Sequence, residues 1–308
     1  MADTPVNFSM FKSNTSSGFI RFFCWDVTRH FLFLILFLFL FLARPQRVSA
    51  QYSEVGILAG VSDYNGELNP GLLNFKFLHP AGGLMYRYNL NPHWALKGNA
   101  YYGIVSGADA QSTDPFQQNR NLSFKSGLLD VSGEFEFNFF PYEPSNTRTI
   151  VTPYIFAGIS LFKFNPKAEF NGTWYALQTL GTEGQGNALV PDSKPEYSLT
   201  QFAIPFGGGM KISVKKFSFG VELGVRRAYT DYLDDVSGTY VDPVALVASK
   251  GMIAAILADR SVIHSPDTGV GRQRGNPNDK DWYMFTGLYC ALNILKKGQE
   301  CNAFPHHR

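Results

Sequence analysis

The residues of this chain most able to do chemistry are acidic and lie in one stretch, TDYLDDVSGTYVDP, at residues 230–243. It brings four carboxylates close together, at Asp231, Asp234, Asp235 and Asp242. Clustered carboxylates can bind Ca²⁺, which prefers oxygen ligands, but the spacing is not that of an EF-hand loop. The stretch is therefore interpreted either as a structural loop or as a site for an ion or a partner.

Signals for catalysis are sparse elsewhere in the chain. A hydrolytic site needs a histidine that takes the proton from a nucleophile. The sequence has no G-x-S-x-G motif and no H-E-x-x-H motif. Past residue 50, the histidines are predicted to lie in loops, turns or the tail; they are His79, His93, His264, His306 and His307. We predict no enzymatic activity, no catalytic or metal-binding residue and no cofactor.

The first 50 residues are predicted to be a cleaved signal peptide. Arg21 and Arg29 precede an apolar run at residues 31–43, and Val48-Ser49-Ala50 fits the small-residue pattern of a cleavage site. The run has 13 residues, whereas a membrane-spanning helix needs about 20. An uncleaved membrane anchor is the alternative.

The rest of the chain alternates apolar and polar residues with a period of two, the pattern of β-strands. No stretch beyond residue 50 approaches 18 apolar residues, so a second spanning helix is not expected. Eight strands are predicted, at residues 54–62, 83–90, 93–105, 122–139, 149–164, 202–214, 217–229 and 281–295.

The connections between these strands are long and short in strict alternation. An outer-membrane barrel has an even number of strands, short periplasmic turns and longer outer loops. We therefore predict an all-β fold, an eight-stranded antiparallel transmembrane up-and-down β-barrel of the outer membrane, with both termini periplasmic. Residues 51–295 are predicted to form this barrel with four long extracellular loops, and residues 296–308 are predicted to form a periplasmic tail. A soluble eight-stranded sandwich or barrel is the alternative.

Charged residues within the strands are predicted to point into the barrel. In the fourth strand Glu134 and Glu136 alternate with phenylalanines, which would face lipid. An eight-stranded barrel is just wide enough for side chains to fill, and ion pairs would satisfy charges that are costly when buried alone. The predicted lumen charge network is Arg87, Lys97, Glu134, Glu136, Lys211, Glu222 and Arg226. This network predicts a filled barrel and not an open pore.

Composition and the remaining motifs add three expectations. The net charge of +2 gives no reason to expect a nucleic-acid partner. The segment from Pro243 to Arg260 is predicted to be a helix, because proline starts it and Ala and Leu dominate, although Gly251 weakens the pattern. Cys290 is predicted to be a small apolar strand residue, a single bond to Cys301 being the alternative.

Four stretches carry a family resemblance: SEVGILAGVSDYNGELNP, VTPYIFAGISLFKFNPKA, DYLDDVSGTYVDP and RGNPNDKDWYMFTGL. Together they resemble the PorG-type outer-membrane β-barrel proteins, part of the type IX protein secretion machinery, over residues 53–295. The most specific are the last stretch and the family-motif loop with Asp231, Tyr232, Asp234 and Asp235.

The resemblance implies a barrel in the outer-membrane lipid bilayer, without catalytic residues. It implies partners among the periplasmic ring proteins of that machinery and other outer-membrane translocon components, and a role in gliding or protein export. Lys296, Lys297 and the short turns are then candidate ring contacts. Two alternatives stay open: a structural or adhesive barrel without a secretion role, and an outer-membrane lipid-modifying enzyme, which the lack of a predicted strand histidine disfavours.

Overall fold

The computed structural model describes residues 52–71, 75–144, 148–263 and 269–294. The predicted signal peptide, the predicted tail at residues 296–308, His264 and Cys301 lie outside these ranges. Within them, no helix has both the length and the apolar character needed to cross a membrane.

Eight strands close into an antiparallel barrel. Each barrel strand pairs with the next along the chain, and the last pairs with the first, from Ser53 opposite Ile294 to Asn65 opposite Trp282. Closure leaves no barrel strand with an unpaired edge, which is what a spanning sheet requires. The predicted all-β fold, a closed barrel of eight antiparallel strands, is confirmed. The described strands are β1 Tyr52–Asn65, β2 His79–Asn89, β3 Trp94–Ala108, β4 Ser123–Asn138, β5 Ile150–Phe164, β6 Lys167–Phe170, β7 Thr173–Ala176, β8 Thr200–Val214, β9 Phe217–Ala228 and β10 Trp282–Ile294.

The strand connections define two different ends of the barrel. Short turns follow β2, β4 and β8, and long connections follow β1, β3, β5 and β9. We call these the short-turn end and the long-loop end. Tyr52 and Ile294, the two ends of the described barrel, both lie at the short-turn end.

The long connections hold further elements. The β6–β7 hairpin follows β5 and pairs with the first residues of β4, with Lys125 opposite Lys167. The predicted single helix from Pro243 to Arg260 is wrong, because Gly251 has φ 90° and divides it into two helices. The helices are α1 Pro115–Arg120, α2 Leu177–Leu180, α3 Pro243–Lys250 and α4 Met252–Ala258, and residues Asp109–Gln111 form a 3₁₀ turn.

The outer surface of the barrel is an apolar belt. In β4, Val131 is 54% exposed and Phe135 41%, whereas Asp130, Glu134 and Glu136, on the opposite face of the strand, are buried. A continuous apolar band of this kind matches the lipid-facing surface of an outer-membrane barrel and exceeds what soluble monomers expose. Its members include Val55, Ile57, Leu84, Leu96, Leu129, Val131, Phe135, Ile155, Ile159, Val221, Leu223 and Leu288.

Inward glycines make room for large lumen side chains. A Cβ on Gly220 would lie 2.6 Å from the ring of Tyr289, and one on Gly209 would lie 2.7 Å from the Tyr154 hydroxyl. At both positions the missing side chain leaves space for an inward tyrosine ring. An eight-stranded barrel is so narrow that the two rings need this space.

A basic side chain in the middle of the apolar belt should be far more costly than one at its end. We expect Val131→Arg to lower the free energy of unfolding in lipid by about 2–4 kcal/mol and Phe140→Arg, at the short-turn end, by about 0–1 kcal/mol. Urea unfolding of the protein folded into vesicles measures both. Equal costs at the two positions would contradict a membrane-spanning belt.

Candidate functional site

The lumen charge network begins near the short-turn end, around Arg87. Its Nη1 donates to Glu54 Oε2 at 2.7 Å, and its Nε donates to Glu136 Oε2 at 3.0 Å. Lys211 Nζ donates to the other oxygen of Glu136. These four side chains come from β1, β2, β4 and β8 and are fully buried. Glu136 thus links two cations across the lumen.

A second group of the network lies in the middle of the barrel, around Lys97. Its Nζ lies 2.6 Å from Glu222 Oε2 and 2.9 Å from Glu134 Oε2. The hydroxyl of Tyr154 donates to the same oxygen of Glu222 at 2.7 Å. Arg226 is more loosely held, with Nη2 3.9 Å from Glu134 Oε1. The structure thereby brings all seven predicted lumen residues together inside the barrel.

Two acidic members of this interior were missed from the sequence. Glu54 pairs with Arg87, and Asp130 accepts a hydrogen bond of 2.7 Å from the Tyr283 hydroxyl. The available signal was the alternation itself, because Asp130 shares the face of Glu134 and Glu136. With these two included, the described barrel strands place five carboxylates and four cations inside.

The described side chains fill the lumen and do not line a channel. Lys97 is 2% exposed, and Arg87, Lys211 and Arg226 are 0% exposed. A water-filled passage along them would leave such charged groups accessible. Rings pack between the charges: the Lys97 Nζ lies 4.0 Å from the ring centroid of Phe156, and Lys211 Nζ lies 4.1 Å from that of Tyr142. The network is thus the core of the barrel.

The family-motif loop is held at the long-loop end of the barrel by hydrogen bonds and a ring contact. The Tyr64 hydroxyl lies 2.6 Å from Asp234 Oδ2. The Tyr197 hydroxyl donates to Asp235 Oδ1 at 2.7 Å, and the Tyr197 ring stacks on Tyr232 with centroids 4.7 Å apart. Asp231 is also buried. Most of the predicted acidic stretch is therefore inside the cap of the barrel and not on its surface.

Asp242, in contrast, is exposed and has a local role. Its Oδ1 accepts a hydrogen bond of 2.9 Å from the Val244 amide and so caps the start of α3. An N-cap carboxylate satisfies an amide that has no partner within its helix. Asp242 is therefore separate from the buried carboxylates of the same loop.

Three acidic residues form what we call the loop-end cluster: Glu67, Asp234 and Asp281. Within the described residues, they are the group whose ligand atoms could share an ion, with oxygens within 4.8 Å of one another. Two ligands on opposite sides of a Ca²⁺ lie about 4.8 Å apart, so the spacing is compatible with that ion. Sequence reasoning singled out Asp234 alone, because its two neighbours come from distant parts of the chain.

Burial governs the charge of the loop-end cluster. It raises the pKa of Glu67 to about 7 and those of Asp234 and Asp281 well above their ordinary value. Tyr64 lies within hydrogen-bond distance of both aspartates, at 2.6 and 2.9 Å, but it has one proton to donate. The remaining negative charge must be neutralised by a proton or by a cation.

One histidine that the sequence predicted to lie in a loop, His79, lies in a strand. His79 is the first residue of β2 and not a loop residue, because β2 begins before the predicted position 83. Its Nε2 lies 2.7 Å from Ser106 Oγ on β3. A serine–histidine contact is part of what a hydrolase needs, together with a third group that orients the histidine. No carboxylate hydrogen-bonds to the His79 ring among the described residues, so the pair falls short of a triad.

The comparison with known families concerns the N-terminal half of the chain. Residues 29–179 match the family model described as Domain of unknown function (DUF6089). This DUF6089 segment includes β1 to β5 and the β6–β7 hairpin, while the family-motif loop lies beyond it. No curated protein matches the chain at a significant level.

Solved structures resemble the chain distantly. The attachment invasion locus protein Ail of Yersinia pestis has 11% identity and a TM-score of 0.36, over 80% of this chain and 100% of that chain. The N-terminal β-barrel domain of Pseudomonas aeruginosa OprF has 10% identity and a TM-score of 0.32, over 80% and 100%. Neisserial surface protein A has 9% identity and a TM-score of 0.35, over 80% and 99%. These similarities carry no information on function.

Removing the charge of Glu136 should destabilise the barrel strongly. In Glu136→Gln, Arg87 and Lys211 lose a shared buried partner, and breaking a buried pair costs about 3–5 kcal/mol. Urea unfolding in detergent measures this loss. Glu143→Gln, at an exposed position of the short-turn end, is the matched control and should change little. Adding Lys211→Met to Glu136→Gln should cost less than Lys211→Met in the wild type; full additivity would contradict the coupling.

The cap over the long-loop end should open more readily above neutral pH. Burial raises the pKa of Glu67 and of Asp231 to about 7, against roughly 4 when unfolded. The folded state therefore holds more protons between those values, and its stability falls as pH rises from roughly 4 to 7. Hydrogen exchange of residues 231–240, corrected for intrinsic rates and measured with a chelator, should be faster at about pH 8 than at about pH 5.5.

Neutral variants identify the groups responsible for this pH dependence. The double variant Glu67→Gln/Asp231→Asn should remove most of the difference in exchange between the two pH values. Asp242→Asn, which changes the exposed cap of α3, should leave it intact. Slower exchange at the higher pH would contradict the assignment.

Proposed function

We propose that this protein is a non-enzymatic outer-membrane β-barrel component of the type IX protein secretion machinery that serves gliding or export. It would anchor or associate with the periplasmic ring complex. The observation that carries the proposal is the filled lumen: Arg87, Lys97 and Lys211 are buried in ion pairs. A barrel without an open pore acts through its surfaces. The choice of machinery rests on the resemblance of the motif stretches.

The two ends of the barrel suggest an orientation. Outer-membrane barrels have short turns on the periplasmic side and longer loops outside. On this basis the short-turn end, with both ends of the described barrel, faces the periplasm and the ring. The capped long-loop end faces outward, where other translocon components could contact it.

The β8–β9 turn is the docking site we propose for the ring. The side chains of Lys215 and Lys216 are exposed, while their backbone is held by Asn293. The Asn293 amide donates to Lys216 O at 2.7 Å, and its side chain donates to Lys215 O at 3.4 Å. The turn thus presents two exposed ammonium groups on a backbone that is hydrogen-bonded to β10, a surface suited to an acidic partner.

Charge reversal in this turn tests the proposal. We expect Lys215→Glu/Lys216→Glu to reduce co-purification of ring proteins from detergent-solubilised outer membrane at least several-fold, because like charges oppose docking. Lys167→Glu/Lys194→Glu reverses two exposed charges at the long-loop end and should leave co-purification unchanged. Heat-modifiability on gels verifies that both variants fold.

Other outcomes discriminate between the candidate functions. Ring proteins that co-purify equally well with the turn variant would exclude this turn as the contact. Wild-type protein that brings no ring proteins, with export normal after deletion, would favour the structural or adhesive barrel. Loss of lipid modification in Ser106→Ala or His79→Ala cells would favour the enzyme and overturn the proposal.

A further inference from the structure

A groove of about 520 Å³ lies on the outer face of the barrel toward the long-loop end, across β3, β4 and β5. Its floor is apolar, formed by Tyr102, Ile104 and Leu129. These side chains belong to the outward face that carries the apolar belt: Tyr102 is 58% and Leu129 47% exposed. Lipid is therefore the medium that this floor meets.

The groove exists because of one glycine and one hairpin. Gly127 leaves a gap in the outer face of β4, and a Cβ there would lie 3.1 Å from the Tyr102 hydroxyl. The β6–β7 hairpin pairs with the start of β4, with Lys167 opposite Lys125, and forms one wall, from which Trp174 lines the groove. Tryptophan is enriched where a membrane surface meets water. The groove thus runs from the apolar belt toward the headgroup region.

The upper part of the groove, which is the part nearest the long-loop end, is basic. Lys125, Lys163 and Lys167 all line it, and none forms an ion pair with a residue in the described part of the chain. Lys125 Nζ lies 5.9 Å from the ring centroid of Trp174. Three ammonium groups around one groove repel one another unless an anion lies among them.

Apolar floor and basic rim together fit one chemical class of ligand. Long lysines that leave an apolar surface place their charge at the membrane interface, where they attract anionic headgroups. We propose that this groove binds a lipid with a phosphorylated headgroup from the surrounding leaflet. An acyl chain lies along Tyr102 and Leu129, and phosphate lies among the three lysines. The proposed orientation puts the long-loop end outside, so this lipid belongs to the outer leaflet. The inference rests on that orientation and does not require the role in secretion.

Lipid titration of the purified full-length mature protein in detergent tests the site. Native mass spectrometry would compare bisphosphorylated lipid A, its dephosphorylated form and inorganic phosphate. We expect the wild type to bind the bisphosphorylated lipid at least about tenfold more tightly than the dephosphorylated one, since about 1.4 kcal/mol is tenfold in affinity. Inorganic phosphate should compete weakly, because it lacks the acyl chains that contact the floor.

Two variants separate the charged and the apolar parts of the site. Lys125→Gln/Lys163→Gln/Lys167→Gln should lose the preference for phosphate, while Lys76→Gln/Lys194→Gln/Lys280→Gln removes three lysines outside the groove and should keep it. Gly127→Leu fills the floor and should weaken binding of both lipids. Heat-modifiability verifies folding of each variant.

Three results of the lipid titrations would overturn the inference. They are unchanged lipid preference in the groove variant, equal loss in the control variant, and full competition by inorganic phosphate. A protein partner bound at the groove would appear as a band lost from pull-downs of the groove variant with lipid binding unaltered, which also overturns it. Ring co-purification is scored separately, so failure here is distinguishable from failure of the proposed function.

Discussion

The interaction on which the rest of the structure depends is the ion pairing of Arg87 with Glu54 and Glu136. Its partners come from β1 and β4, and Lys211 reaches the same glutamate from β8. Glu54 lies directly opposite Arg87 in the β1–β2 pairing, whereas β8, which supplies Lys211, lies four strands away and faces β2 across the lumen of the closed barrel. Charge burial without partners costs several kcal/mol per ion, so closure of the barrel and neutralisation of its interior require each other.

Putting the charges inside determines what the two ends and the outside can do. The middle of the outer face stays apolar, and the exposed lysines named above lie in the turns, the loops or the upper groove. The long-loop end closes over the network with buried tyrosine–carboxylate contacts such as Tyr64–Asp234 and Tyr197–Asp235. The two proposed contacts therefore use the surface: a basic turn at one end and a basic groove on the apolar outer face near the other.

The strand count, the closed topology and the facing of β4 could be predicted from the sequence, because period-two alternation and loop length are local properties. The partners within the lumen could not, since Arg87 meets Glu136 through the register of three strands. The loop-end cluster could not be predicted for the same reason, because Glu67 and Asp281 join Asp234 from distant parts of the chain. The contact between His79 and Ser106 was missed because both residues lie outside the predicted strand bounds. Gly251 indicated a weak point in the predicted helix, but the sequence did not show that this residue has a φ of 90° and ends the first helix.

The seam between β1 and β10 joins the first and the last strands of the barrel. Their register runs from Ser53 to Asn65 in β1, so the longest-range pairing in the sequence is also among the most extensive. Folding topologies dominated by such distant contacts are slow, because loop closure must precede any reward. Until β10 arrives, a chain rich in exposed phenylalanine must stay unassembled in water without aggregating. We therefore expect the unassembled chain to need protection from aggregation in water until the β1–β10 seam has closed.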